Sequence, residues 1–387
     1  MEVENGATIT AEDSQVTVEG VVETDGAVIF DCSLKAEELR GMDGNLEVHG
    51  DLSLQDGLRL SDGSLHVAGS LSARDVDVDK ELDVVKDAKL EDLDVGGRVH
   101  VHGKLSARSV DVGGSLEVGD LVEVEDIDVG GVVRLLRQVK CRSIDVGGSV
   151  TIGGGEVSDK IDVGGSFESN GPLQFNDIDV GGIVRLHGDS AGQRIDVGGS
   201  IKVYGSLKFE ELDVGGIIEI QGDGHGDGMD IGGILNVKGN LTLTDRLDVG
   251  GKCKVGGRLA ANRVDVGGVI ESDEVQAHDV EVGGSLETNK GVSADVIKIG
   301  DRARVRGPLI GRESVTVGER CDVEAIYGRS VRLEERSKST FIHGEDVRIE
   351  SRCRILGEIL YTKSLDAADD VEFAMPARKV DSLPDIP

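Results

Sequence analysis

Residues 127–131 read IDVGG, and the same five residues recur at 144–148, 161–165, 178–182 and 195–199, always 17 positions apart. Aligned on the aspartate, the spacing of 17 holds from Asp77 to Asp230. Beyond Asp230 the spacing becomes slightly irregular, and the register passes through Asp248, Asp265, Glu281, Lys298, Thr316, Arg332 and Arg348. A fixed period over most of a chain is typical of a repeat protein.

One repeat, residues 94–110 (DVGGRVHVHGKLSARSV), shows what each period contains. Its apolar residues form pairs separated by one outward residue: Leu93/Val95, Val99/Val101 and Leu105/Ala107. This alternation is typical of half-buried strands. The pattern predicts an all-β fold, a single-stranded three-sided β-helix with about 17 residues per rung. The chain would hold roughly 20 rungs and, at about 4.8 Å per rung, form a rod about 95 Å long.

The Gly-Gly pair is interpreted as a corner, where a positive φ or a close backbone approach excludes a Cβ. Two stretches lack the third apolar pair, residues 186–194 and 221–229, and we expect them to bulge out as loops. The acidic, glycine-rich residues 221–230 leave open whether a cation binds there.

The charge composition limits the partners of the chain. A net charge of −32 argues against binding to nucleic acid or to an anionic membrane surface. Arginine outnumbers lysine, 25 to 17. An acidic, lysine-poor surface is typical of proteins from salty cytoplasm, and the alternative is an ordinary acidic protein.

Stacking would place the aspartates in one outward column at about 4.8 Å spacing. Each neighbouring pair would then repel by about 0.9 kcal/mol in water without salt. Screening at molar salt would lower this cost several-fold. We therefore expect the folded chain to gain stability from salt, unless nearby arginines and lysines neutralise the column.

Sequence character divides the chain into four segments. Residues 1–76 form irregular rungs, 77–300 the regular acidic DVGG solenoid, 301–373 an arginine-rich segment, and 374–387 a flexible proline-containing tail. Residues 301–360 carry 12 Lys+Arg against 11 Asp+Glu, whereas the remainder carries 30 against 63. This asymmetry could guide contacts or reflect two fused segments of different ancestry.

We find no catalytic, cofactor-binding or metal-binding residues in the sequence and expect that the protein is not an enzyme. His66 and His100 lie two repeats apart at outward positions, but the sequence shows no convincing third ligand for a zinc site. The glycine pairs do not form a P-loop. A solenoid acyltransferase or a carbonic-anhydrase-like enzyme is kept as a minor alternative.

The five cysteines are expected to be free thiols. Cys253, Cys321 and Cys353 occupy inward positions too far apart for a disulfide. The first residues show no signal peptide, and no apolar run is long enough to span a bilayer as a helix. We therefore predict a cytoplasmic protein without a transmembrane segment. A secreted adhesin is correspondingly disfavoured.

Residues 297–360 resemble the bactofilins, the polymer-forming cytoskeletal proteins, most clearly in VRGPLIGRESVTVGERCDV at 305–323. The looser GG-rich repeats over 77–296 extend the resemblance, and the acidic composition is similar to that of halophile members called halofilins. The resemblance implies a right-handed coil and end-to-end filaments that form without nucleotide and support cell shape. It also implies other cytoskeletal or membrane-associated partners, with a location in the cytoplasm or at the inner face of the membrane.

By the same resemblance, an aromatic residue of the final rung important for assembly corresponds to Phe373. Phe373 and Val371 are therefore the predicted polymerisation interface. Bactofilins have a shorter core and longer proline-rich tails than this chain. The leading hypothesis is a self-associating, non-catalytic scaffold, and the alternative is a rigid solenoid that binds partner proteins on its faces without polymerising.

Overall fold

The structure, a computed structural model, describes residues 1–384, which form strands and turns but no helix. Strands pair in parallel with strands one full turn later, as β1 does with β4 and β3 with β6. The predicted all-β solenoid of about 17 residues per turn is thereby confirmed, with about 22 turns in total. The chain divides into two compact units, residues 1–192 (unit 1) and residues 193–387 (unit 2).

Unit 1 contains the first 28 strands. They are β1 Glu2–Val3, β2 Thr8–Ile9, β3 Gln15–Thr17, β4 Val21–Asp25, β5 Val28–Phe30, β6 Ser33–Ala36, β7 Glu38–Met42, β8 Leu46–Val48, β9 Leu52–Leu54, β10 Gly57–Ser61, β11 Ser64–Val67, β12 Leu71–Ser72, β13 Asp75–Val78, β14 Glu81–Val84, β15 Ala88–Lys89, β16 Asp92–Val95, β17 Arg98–Val101, β18 Leu105–Val112, β19 Ser115–Val118, β20 Val122–Val129, β21 Val132–Leu135, β22 Val139–Val146, β23 Ser149–Ile152, β24 Gly155–Val163, β25 Ser166–Ser169, β26 Leu173–Val180, β27 Ile183–Leu186 and β28 Ser190–Ala191.

Unit 2 contains the remaining strands of the described chain. They are β29 Arg194–Val197, β30 Ser200–Val203, β31 Leu207–Lys208, β32 Glu211–Val214, β33 Ile217–Ile220, β34 Gly224–Gly226, β35 Gly228–Ile231, β36 Ile234–Val237, β37 Leu241–Leu243, β38 Arg246–Val249, β39 Lys252–Ala260, β40 Arg263–Val266, β41 Val269–Gln276, β42 Asp279–Val282, β43 Leu286–Thr288, β44 Val292–Ile299, β45 Arg304–Val317, β46 Asp322–Leu333, β47 Lys338–Ile349, β48 Arg354–Ile355, β49 Ile359–Ala367, β50 Glu372–Phe373 and β51 Arg378–Lys379.

Strand register in both units follows the sequence period. In unit 1 the aspartates from 77 to 179 pair in order, each one period after the last: Asp77, Asp94, Asp111, Asp128, Asp145, Asp162 and Asp179. In unit 2 the equivalent column runs through the positions predicted from sequence: Asp196, Asp213, Asp230, Asp248, Asp265, Glu281, Lys298, Thr316, Arg332 and Arg348. None of these side chains is buried, which confirms the predicted outward column.

The core is a narrow stack of aliphatic pairs. Val95, Val99 and Val101 are completely buried, and the residues one turn away occupy equivalent positions. Ala107, at the end of the third pair, is only half-buried. Each strand buries its inward face in this stack and leaves its outward residues in water.

The Gly-Gly corners are set by close approach, and their φ angles are not positive. A Cβ on Gly113 would lie 2.3 Å from the carbonyl oxygen of Gly96, and one on Gly114 would lie 2.4 Å from that of Gly97. The same clash repeats from turn to turn within each unit. Of the two explanations considered from sequence, only close backbone approach therefore applies.

The predicted loops at 186–194 and 221–229 are wrong. Ser190–Ala191 and Gly224–Gly226 form strands that stay in the ladder. A Cβ on Gly226 would lie 2.2 Å from the ring of Phe209, and one on Gly192 would lie 2.0 Å from that of Phe175. A phenylalanine in the preceding turn thus fills the space that the glycine leaves, so the side keeps its core without its own apolar pair.

All five cysteines are free and buried, as expected. Burial raises the pKa of the Cys141 and Cys253 thiols to about 12. These thiols therefore act as apolar filling and stay protonated at neutral pH.

Corner geometry changes in the arginine-rich part of unit 2. Arg302, Arg320, Arg336 and Arg352 have φ between 58° and 61°, and each directly follows the two positions that a glycine pair holds in the acidic repeats. The segment predicted as a tail, 374–387, contains a paired strand, because β51 continues the ladder of β49. Residues 385–387 of that prediction lie outside the described residues.

Candidate functional site

The last turn of unit 2 leaves part of the core uncovered. In strand register, Leu365 follows Val347, Ala367 follows Ile349, and Phe373 follows Ile355. The earlier partners are at most 2% exposed, whereas Phe373 is 37% exposed. Within residues 1–384, β50 and β51 each pair on one side only, with β48 and β49. The inward columns of unit 2 therefore end in apolar side chains with an open strand edge beside them.

The predicted interface residues both lie in this last turn. Val371 is half-buried and directly precedes Glu372, whose N–H donates to the Cys353 carbonyl at 2.9 Å. Phe373 continues the Cys353/Ile355 side, as predicted from the spacing. The structure thus places Val371 and Phe373 together at the uncovered end of unit 2.

Other apolar residues of this end were missed from sequence. Leu356 is 57% exposed and Met375 is 54% exposed, and their neighbours Ile355 and Ala374 are joined by a backbone hydrogen bond of 2.9 Å. Phe341, one turn earlier, is 42% exposed. Each falls on an outward or corner position. An apolar residue out of phase with the inward pairs was the available signal.

Ion pairs fasten the last turn to the turn before it. Arg354 meets Glu372 at 2.8 Å, Lys363 meets Glu345 at 2.6 Å, and Arg378 pairs with Glu358. These groups are largely exposed, so each pair adds little stability. Their arrangement fixes the position of the terminal turn while leaving its far edge free.

The outward column is acidic throughout unit 1 and in unit 2 as far as Glu281. Partial burial and the neighbouring Asp111 and Asp77 raise the pKa of Asp94, and the same causes act on Asp145 between Asp162 and Asp128. Lys160 relieves one stretch, with its ammonium 2.6 Å from Asp162 and 3.3 Å from Asp179. Where no cation intervenes, the column carries like charges in close register.

Two of the three carboxylates of residues 221–230 accept hydrogen bonds from the chain itself. Asp223 Oδ1 accepts the backbone N–H of Asn240 at 2.7 Å, and Asp227 Oδ1 accepts the Thr244 hydroxyl at 2.5 Å. These bonds tie one turn to the next.

In unit 1, three potential metal ligands converge, with ligand atoms of Asp83, His100 and His102 within 4.8 Å of one another.

Among residues 1–384, no helix has the length and apolar character needed to cross a bilayer. Comparisons of the chain with protein-family models, with curated proteins and with solved structures found no match.

Proposed function

We propose that the protein is a non-catalytic structural protein that self-associates through the uncovered end of unit 2. The observation that carries this proposal is the last turn, where Phe373 ends an inward column at 37% exposure beside strands paired on one side only. The bactofilin-like motif at 305–323 supports the same proposal, because bactofilins polymerise without nucleotide.

The physical basis is that an open strand edge carries unpaired N–H and C=O groups, which favour pairing with another chain. Apolar side chains beside such an edge add a gain from burial. In repeat proteins, terminal repeats with a polar outer face keep the protein soluble. A terminal turn that ends in Phe373 and Leu365 lacks this protection.

Electron microscopy and sedimentation velocity of the full chain test the proposal. Wild-type protein in molar KCl should form elongated assemblies whose fraction rises with concentration. Phe373→Arg should remain dispersed, because a charge would have to be buried at the contact. Ile217→Arg is the matched control, since Ile217 is 44% exposed on a lateral face of unit 2.

Two outcomes would count against the proposal. Wild-type protein that stays dispersed at every concentration and salt level would refute self-association. Assembly of Phe373→Arg at the wild-type concentration, with Ile217→Arg impaired instead, would place the contact on a lateral face.

A rigid scaffold that binds other proteins is the second candidate function. It is favoured by Ile217 and Ile234, which are adjacent in register and 44% and 42% exposed. In this alternative Ile217→Arg would lower the recovery of cytoskeletal or membrane-associated partners from the protein's own cells. In both candidates we propose that the protein works in salty cytoplasm, either free or at the inner face of the membrane.

A further inference from the structure

Four side chains of unit 1 meet on the face that follows the Gly-Gly corners. His66 of β11, Asp83 of β14 and His100 of β17 are register partners on three consecutive turns. His102 follows the last residue of β17 and faces the same carboxylate. The rings of His100 and His102 lie with centroids 3.8 Å apart. The repeat period therefore assembles one carboxylate among three imidazoles.

The Asp83 carboxylate is the centre of this cluster. Its Oδ2 lies 2.8 Å from Nδ1 of His66. Its Oδ1 lies 3.5 Å from Nδ1 of His100 and 3.3 Å from Nε2 of His102. Within the described chain, Oδ1 is shielded from solvent and takes part in no hydrogen bond. A shielded carboxylate oxygen without a partner is costly, and such an atom often marks a site for an ion.

The spacing of the ligand atoms fits a tetrahedral ion. Zinc binds imidazole nitrogen and carboxylate oxygen at about 2.0–2.2 Å, which gives ligand-to-ligand separations of about 3.3 Å. The two Asp83–histidine distances, 3.3 and 3.5 Å, are close to that value. Two imidazoles and a carboxylate are ligands that zinc accepts readily.

We propose that Asp83 Oδ1, His100 Nδ1 and His102 Nε2 bind a divalent transition-metal ion of the Zn²⁺ type. His66 is a positioning residue, because its Nδ1 holds the other carboxylate oxygen and so turns Oδ1 toward the two histidines. The side chains of His100 and His102 are 33% and 47% exposed, which leaves the fourth position to water.

The ligands come from two successive turns, so the ion would crosslink the paired strands β14 and β17. A brace across adjacent turns stabilises a solenoid where each turn contacts only its neighbours. The proposed role is structural and is independent of self-association through the uncovered end of unit 2.

Equilibrium dialysis of the full chain against Zn²⁺, with elemental analysis, tests the site. Wild-type protein should bind one equivalent with micromolar or tighter affinity, and Co²⁺ at the same site should give the visible absorption of a tetrahedral complex. Zn²⁺ should also raise the melting temperature. His102→Ala and Asp83→Asn should each lower the affinity at least tenfold.

Two further variants complete the design. His225→Ala removes an exposed histidine of unit 2 and should leave binding unchanged. His66→Asn should weaken binding less than His102→Ala while keeping the tetrahedral cobalt spectrum. Absence of saturable binding by wild-type protein would overturn the proposal, as would binding that His102→Ala leaves intact. Octahedral cobalt absorption would overturn the tetrahedral site proposed here.

Discussion

At the scale of the residue, the backbone of the preceding turn explains why glycine recurs at the corners. Gly131 stacks on Gly114 so closely that a Cβ would lie 2.3 Å from the Gly114 carbonyl oxygen. Since the obstacle is backbone in an equally constrained turn, neither chain segment can move away cheaply. A single methyl group at such a corner should therefore disturb several turns.

We expect Gly131→Ala to lower the free energy of unfolding by about 1–3 kcal/mol, the usual cost of overpacking. Gly328→Ala is the control, because its Cβ would meet its nearest neighbour at 3.2 Å, where a small shift suffices. Urea titration followed by circular dichroism measures both. Equal losses in the two variants would show that close approach is not what selects glycine at the corners.

The sequence predicted most inward residues because apolar and polar residues alternate along each strand, as around Val99 and Val101. It failed at Gly226 and Gly192, where the space is filled by Phe209 and Phe175 of the preceding turn. The phenylalanine and the glycine lie one period apart, so the pattern within a single repeat does not reveal that one side chain fills the space of the other. The histidine cluster was missed for a related reason. Asp83 lies in register between His66 and His100, one period from each, and its carboxylate was not recognised as a ligand.

At the scale of the strand, two outward columns differ in how their charges alternate. On the face after the glycine corners, opposite charges meet in register, as Lys202 and Glu219 do at 3.1 Å. On the aspartate face like charges meet, and the pKa of Asp94 is raised by partial burial and by Asp111 and Asp77. Asp126 lies two residues before Asp128 of that column, and the Ser143 hydroxyl and Arg142 lower its pKa.

The two aspartates should respond oppositely to substitution by asparagine. At pH 7 and low salt, Asp94→Asn should stabilise the protein by about 1 kcal/mol, because it removes repulsion from two neighbours. Asp126→Asn should destabilise it by about 1 kcal/mol, because it weakens hydrogen bonds to a charged acceptor. Chemical unfolding at 0.1 M KCl measures both changes.

The pH dependence of these changes follows from the direction of each shift. A raised folded pKa means that ionised Asp94 opposes folding, and this penalty disappears as pH falls through that pKa. A lowered folded pKa means that Asp126 stabilises above its ordinary pKa of about 3.9, and this is lost as pH falls toward the folded pKa. Both differences from wild type should therefore shrink below pH 4, and changes of the same sign at pH 7 would contradict the assignment.

Strand register was predictable far beyond the regular repeats, because one outward residue per turn, from Asp248 to Arg348, marks it even after the aspartate is replaced. The reason for the glycine pairs was not fixed by sequence, since positive φ and close approach favour the same residue. The exposed Leu356 and Met375 were missed because alternation does not predict which turn is last.

At the scale of the whole molecule, stability is a sum over turns that contact only their neighbours within each unit. A net charge of −32 adds a term that opposes folding throughout. Many carboxylates of the protein form ion pairs. The aspartate column of unit 1, however, has few neighbouring cations beyond Arg59 at its start and Lys160 near its end. The unpaired charge of the column should therefore dominate the response of the molecule to salt.

We expect the melting temperature of the wild-type protein to rise by several degrees between 0.1 and 2 M KCl, because the screening length falls to about 3 Å near molar salt. Potassium chloride is chosen because strongly salting-out ions would strengthen apolar burial as well. The control is a triple variant, Asp94→Asn, Asp111→Asn and Asp128→Asn, which removes three successive charges of the column. It should melt higher than wild type at 0.1 M KCl and approach it at 2 M. A wild-type melting temperature indifferent to KCl, or a triple variant with undiminished salt dependence, would show that repulsion along the column does not limit stability.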